Sequence, residues 1–211
     1  MEVKHQVPIL TRPCIPWRPA PRITSVSNLL LPTHMSNYSW STTFRELFDR
    51  CVKTWRSGNT DFTRWFTAAD KAFLASIGCR EREFFDFVDD HCGAGETEPT
   101  ADTALLVASV RRDYLTIIQG GKTSGKIVAP SELPAKSAEL AGMRWLPRII
   151  AKARAKLRGE MDPDTMYGCG GDRAFLGGHN IHPADFLREV WAAHDDDAKI
   201  VDYVKSGGRK K

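Results

Sequence analysis

The sequence predicts an all-α protein made of two related four-helix units that arise from an internal duplication and pack together. Two observations carry this. Sliding the 211-residue chain against itself by 102 positions lays "DKAFL" (70–74) on "DRAFL" (172–176) without a gap. Around those letters the apolar positions recur with helical spacing in both copies, and no stretch shows convincing β alternation. Phe44, Leu47, Phe48, Cys51 and Trp55 fall on Leu146, Ile149, Ile150, Ala153 and Leu157, the i, i+3, i+4, i+7, i+11 stripe of an amphipathic helix. Phe84, Phe85 and Val88 likewise fall on Phe186, Leu187 and Val190.

Taken in order, residues 1–40 read as an extended, basic, proline-rich arm. Residues 1–34 hold six prolines and no periodicity, so they cannot bury a continuous face. The arm lacks the apolar core of a secretory signal. Met35 offers a second start, with the preceding residues an upstream extension of the reading frame.

The first helical unit spans 41–119. "TFRE" (43–46) and "TAAD" (67–70) resemble capping boxes, and Gly58 and Gly78 sit where helices should stop, because glycine accepts a left-handed C′ position. "TADTALLVASVRRDYLTIIQ" (100–119) is rich in helix formers and ends at Gly120-Gly121. Residues 120–136 form a linker. The second unit spans 137–206. There His182-Pro183 suits a helix entry, and "DDDAKIVDYVKS" (195–206) is a shorter fourth helix with an acidic first turn. A basic tail, 207–211, follows.

Composition narrows the function classes. The chain is 42% hydrophobic and 27% charged, an ordinary globular balance. Five cysteines without a CxxC pair do not make a disulfide framework and point to reduced thiols in the cytoplasm. No apolar run has the roughly 20 residues of a membrane span. The net charge of +4 is concentrated in the arm, where Lys4, Arg12, Arg18 and Arg22 face Glu2 alone, and the remainder carries only +1. A basic nucleic-acid-binding body is therefore not supported, and the arm and tail are the one basic feature left for such a partner.

The run "LPRIIAKARAKLRGEMDPDTMYGCGGDRAFLGGHNIHPADFLREVWAAHDDDAKIVDYVK" (146–205) resembles the bacterial domain-of-unknown-function family 5069. The resemblance lies in Leu-Pro-Arg, a following basic helix, a Tyr, a Gly-rich turn, an Asp-Arg pair, a Phe-Leu helix and a closing acidic helix. The first copy resembles a companion unit of longer members. This implies a cytoplasmic helical bacterial protein and supplies no established reaction. Ala151 stands where the family pattern has Asp, whereas the first copy has Asp49 at the equivalent position, so any role of that carboxylate would rest with the first unit.

Five groups of residues could carry chemistry. "GGKTSGKI" (120–127) matches a phosphate-binding loop except at Ile127, where magnesium needs a hydroxyl; a linker is the plainer reading. Arg148, Lys152 and Lys156 advance by four residues and form one basic stripe, able to line an anionic ligand or simply to be a solvated face. Asp70 and Asp172 are equivalent carboxylates; facing each other across a cleft they would become an acid and a base. Alternatively each serves its helix dipole and pairs with Lys71, Arg173, Arg50 or Lys152. Cys169, His179 and His182 cluster within fourteen residues, and Cys79, His91 and Cys92 form a looser set. Neither spacing is that of a zinc framework, so no metal or cofactor is expected. "YGCGGDR" (167–173) reads as glycines chosen for a tight turn.

The expectation is thus a non-catalytic helical protein that binds a small ligand or a protein partner in the cleft between its units. The alternative is an enzyme using Asp70 or Asp172 as acid and base, with Arg148, Lys152 and Tyr167 positioning substrate.

Overall fold

A computed structural model describes residues 37–95 and 97–209. The arm before Asn37, the alternative start at Met35 and the last two residues of the basic tail lie outside the described residues. Eight α-helices make up most of what is described. They are α1 (Trp40–Arg56), α2 (Ala68–Ser76), α3 (Glu81–Gly93), α4 (Ala101–Ile117), α5 (Leu146–Arg158), α6 (Gly170–Gly178), α7 (Pro183–Ala193) and α8 (Asp197–Lys205).

Local chemistry explains most of the boundaries. Thr67 and Asp70 close a reciprocal capping box on α2: Asp70 N–H donates to Thr67 Oγ1 at 3.2 Å and Thr67 N–H to Asp70 Oδ2 at 2.8 Å. The α2 helix then ends at Gly78, whose φ of +68° only glycine adopts without strain. Pro183 occupies the first turn of α7, and the His182 ring accepts the Ala184 N–H at 3.1 Å. The other expected capping box fails. Helix α1 starts at Trp40, one turn before Thr43, and the Thr43 hydroxyl donates back to the Ser39 carbonyl instead of capping.

One local feature departs from an all-helical chain. Glu139–Leu140 (β1) pairs antiparallel with Met143–Arg144 (β2), closed by Ala141 and Gly142 at φ +52° and +80°. Two central residues with positive φ are the type I′ hairpin turn. Strands this short offer no run in which alternation could be read.

Helices α1 and α3 pack together, as do α5 and α7, while α4 contacts α1, α5 and α7. Helix α4 is thus the central element. Its buried residues, among them Ala104, Leu105, Val107, Ala108, Val110 and Leu115, occupy more than one side, as a helix surrounded by neighbours requires. From Asn37 onward the chain makes one compact unit. The core is aromatic at one end, where Phe84 meets Phe44 and Phe48 edge-on at 5.0 and 6.0 Å, and largely aliphatic at the other, around Leu146, Ile149, Leu187 and Ile200.

Candidate functional site

The end of α5 is where the early and late helices meet. The last carbonyls of a helix have no partner within it. Here three side chains from earlier in the chain supply them. Arg111 Nη1 donates to the Leu157 carbonyl at 2.8 Å, Gln119 Nε2 to that of Arg158 at 3.0 Å, and Arg80 Nη2 to that of Gly159 at 2.9 Å. Arg80 Nη1 also reaches the Met161 carbonyl at 2.6 Å. Placing cations at the negative end of a helix dipole is favourable.

Beside this junction a narrow cleft, open to solvent and with about 30 Å³ of room for water-sized molecules, lies between the α2–α3 turn and the α5–α6 connection. Arg80, Arg82 and Glu83 stand on one side, and Lys156, Tyr167 and the carboxyl-bearing Asp162 on the other. Lys156 is 3% exposed, and its ammonium is in direct contact with the Glu83 carboxylate. Arg82 pairs with Asp86 at 2.9 Å and stands over the rings of Phe62 and Phe85. Behind the cleft wall lies Arg111, 1% exposed. A Cβ on Gly159 would stand 2.5 Å from its Nη2 and displace the guanidinium, and one on Gly78 would crowd its Nε at 3.0 Å; both positions also have a positive φ, which favours glycine. Arg111 Nη1 is satisfied by Leu157 and by Gln119 Oε1 at 2.7 Å, whereas its Nε and Nη2 have no partner.

Burial sets the electrostatics. It pushes the Lys156 ammonium down to about 8, while the Glu83 carboxylate beside it favours the charged form. Burial also lowers Arg111 to about 10 and raises the Cys79 thiol to about 11, which makes that thiol unreactive. The Tyr167 hydroxyl, buried and donating to the Pro183 carbonyl at 2.7 Å, is raised well above its ordinary value, chiefly by burial and then by the charge of Asp172.

Of the residues singled out from the sequence, Tyr167 and Lys156 line the cleft. Asp70 and Asp172 do not. Asp172 is fully buried and accepts three bonds: from Lys152 Nζ at 2.5 Å, Gly168 N–H at 2.9 Å and the Trp145 indole at 2.9 Å. Gly171 leaves room for that indole, since a Cβ there would lie 2.8 Å from it. Lys152 also reaches Cys169 Sγ at 3.3 Å. Asp70 is held in the α2 cap and by Arg50 Nη2 at 2.6 Å. Burial alone would raise its pKa, but the Thr67 hydroxyl and amide and the Arg50 guanidinium outweigh that and hold it below the ordinary carboxylate value.

The basic stripe is not a solvated face. Lys152 and Lys156 are each 3% exposed, and Arg148 Nη1 is pinned on the Pro134 carbonyl at 2.8 Å. Arg173 bridges to Asp90 at 2.8 Å and to the Gly168 carbonyl at 2.6 Å. Lys71 makes a loose exposed pair with Glu81 at 3.8 Å. Asp49 is exposed and lines a separate hollow with Lys53, Arg56 and His91. The histidines take structural positions: His179 Nδ1 meets the Phe175 carbonyl at 2.9 Å, and His182 Nε2 faces Thr103 Oγ1 at 3.3 Å. Among the described residues no group of three or more His, Cys, Asp or Glu side chains is placed to hold a metal ion. In the "GGKTSGKI" segment Ser124 donates to Glu160 Oε1 at 2.8 Å, and the chain then runs on to a bridge between Val128 and Met161, with no helix to present N–H groups to a phosphate.

Arg80 and Arg111 were not singled out. A signal existed for the second, because Ala104, Val107, Ala108, Arg111 and Leu115 form an apolar stripe with a guanidinium in it.

The α5–α8 half, with the hairpin before it, can now be placed. Residues 132–211 match the family described as Domain of unknown function (DUF5069). No curated protein and no solved structure matches the chain. The DUF5069 segment supplies Lys156, Gly159, Met161 and Tyr167 to the cleft, whereas Arg80, Glu83 and Arg111 precede it. Among the described residues no helix is long and apolar enough to cross a membrane.

Proposed function

We propose that the protein is a non-catalytic binding module that takes a small anionic ligand in the cleft between its two halves. The observation that carries this is the charge at the α5 terminus. Arg80 and Arg111 have carbonyl and amide oxygens as partners and, among the described residues, no carboxylate within ion-pair distance. A helix end is worth about half a charge, which leaves Arg80 on the cleft and Arg111 behind its wall under-compensated, while the cleft's other cations are already paired, Arg82 with Asp86 and Lys156 with Glu83. An oxyanion would supply the balance.

The alternative of acid–base catalysis by Asp70 and Asp172 draws no support from the geometry, since each is engaged within its own neighbourhood and neither reaches the cleft. A duplicated origin of the halves is part of the proposal. Helices α2 and α6 both run for nine residues, from 68 and from 170, and the ion pairs Arg50–Asp70 and Lys152–Asp172 stand 102 positions apart. Phe73 is buried where Phe175 is half-buried against His179, so the copies have diverged in packing. The free, buried Cys51 and Cys79 suit a reducing cytoplasm.

Calorimetry and thermal shift of the full chain with phosphate, sulfate and short carboxylates test the binding. At least one anion is expected to saturate and to stabilise by mass action. Arg80→Gln should weaken it by roughly tenfold or more, and the exposed Lys199→Gln should not. Equal, non-saturating effects of all salts on both variants would overturn the reading.

A further inference from the structure

We infer that Lys156 is a carbonyl-reactive amine and that the cleft's ligand is a short 2-oxo acid, held by its carboxylate and bound reversibly through an imine. This deepens the anion-binding reading and rests on it.

Three observations converge. Lys156 and the Glu83 that its ammonium touches both line the cleft, and Lys156 is 3% exposed, so the pair stands at the cleft wall shielded from bulk water. Desolvation of this kind is what makes a lysine nucleophilic near neutral pH, and burial does push this ammonium down to about 8. The Glu83 carboxylate touches the ammonium and is 20% exposed, placing a proton acceptor at the reacting nitrogen. Arg80, on the same cleft, uses one hydrogen-bond contact from each terminal nitrogen for carbonyls, and a guanidinium has five N–H donors, so donors remain for a carboxylate.

The step balances without an oxidant or reductant. Glu83 accepts a proton from the ammonium, and the free lone pair of Nζ attacks the ketone or aldehyde carbon. A C–N bond forms as the carbonyl π bond opens to a carbinolamine. The alkoxide oxygen takes a proton from the attacking nitrogen to give the carbinolamine hydroxyl, this leaves as water with the proton returned by Glu83, and the last N–H proton passes to the Glu83 carboxylate as the neutral imine forms. The products are the imine and one water, and hydrolysis reverses both bonds. Arg80 would set the register by holding the carboxylate next to the carbonyl carbon, which is why an uncharged aldehyde should react less well.

The test is borohydride trapping on the full wild-type chain near pH 8, the region of the Lys156 transition. Glyoxylate and pyruvate are compared with acetaldehyde, followed by peptide mapping. The expected result is a reduced adduct at Lys156, saturable in pyruvate. It should exceed that at the exposed Lys199 by roughly tenfold, be suppressed by excess acetate and be absent in Lys156→Met, whose fold is checked by circular dichroism. Adducts distributed over surface lysines in proportion to exposure, or an acetaldehyde adduct at Lys156 as strong as that of pyruvate, would overturn it. The two failures separate cleanly. Saturable anion binding without a Lys156 adduct removes the imine alone, and absence of both removes the anion site as well.

Discussion

Two aspartates, each in the first turn of a nine-residue helix, do different amounts of structural work. Asp172 is fully buried and its Lys152 partner is 4% exposed at the side chain, so removing the carboxylate strands an ammonium in the interior. Breaking such a buried pair typically costs about 3–5 kcal/mol. Asp70 sits at a solvated cap beside an Arg50 side chain that is 46% exposed, and losing a cap costs about 1 kcal/mol. Urea denaturation should therefore show Asp172→Ala destabilised several times more than Asp70→Ala; equal losses would show that the Lys152 site relaxes or admits water.

At the scale of the element, α3 carries a pH-sensitive feature. Burial raises Asp86 to about 6, with Arg82 opposing and Asp90 and Asp89 adding to the rise. The native state therefore binds more protons than the unfolded chain between the ordinary value of 3.8 and about 6. Stability should fall as pH rises through that window. Asp86→Asn, which cannot ionise, should flatten that part of the profile in chemical denaturation at stepped pH; an unchanged slope would place the protons elsewhere.

The same scale shows what was legible in the letters. Helix stripes were readable because amphipathic burial repeats at helical spacing, and the start of α2 was readable because Thr67 and Asp70 satisfy each other locally. The start of α1 was not, since Thr43 has the right letter but its helix begins a turn earlier. The destination of the basic stripe was equally hidden. Lys152 and Lys156 are adjacent in register, yet one meets Asp172 from the α6 entry and the other Glu83 from α3, and only the packing of α5 decides that. The cleft itself depends on contacts between residues 73 or more positions apart, such as Lys156 to Glu83 and Arg80 to Gly159 and to Met161. No local pattern encodes those.

For the whole molecule, the position of α4 determines how the chain can be divided. Its buried faces rest on α1 from the early half and on α5 and α7 from the later one. Fragments 37–119 and 120–211, expressed separately, should each lack a cooperative thermal transition by circular dichroism, and mixing them should restore one. Independent two-state melting of both fragments would mean that the halves do not complete each other's interior.

The bracing at the end of α5 runs from side chains to main-chain oxygens. A carbonyl is offered by every amino acid, so the receiving stretch can change its letters freely as far as this latch is concerned, apart from the glycine whose missing Cβ makes room for Arg111. The giving side has no such latitude: only a fork-shaped cation or a primary amide can reach and donate there. The latch itself should therefore be sensitive to substitution at Arg80, Arg111 and Gln119, whereas replacements at Leu157 and Met161 should be felt through the burial of their own side chains and not through this joint.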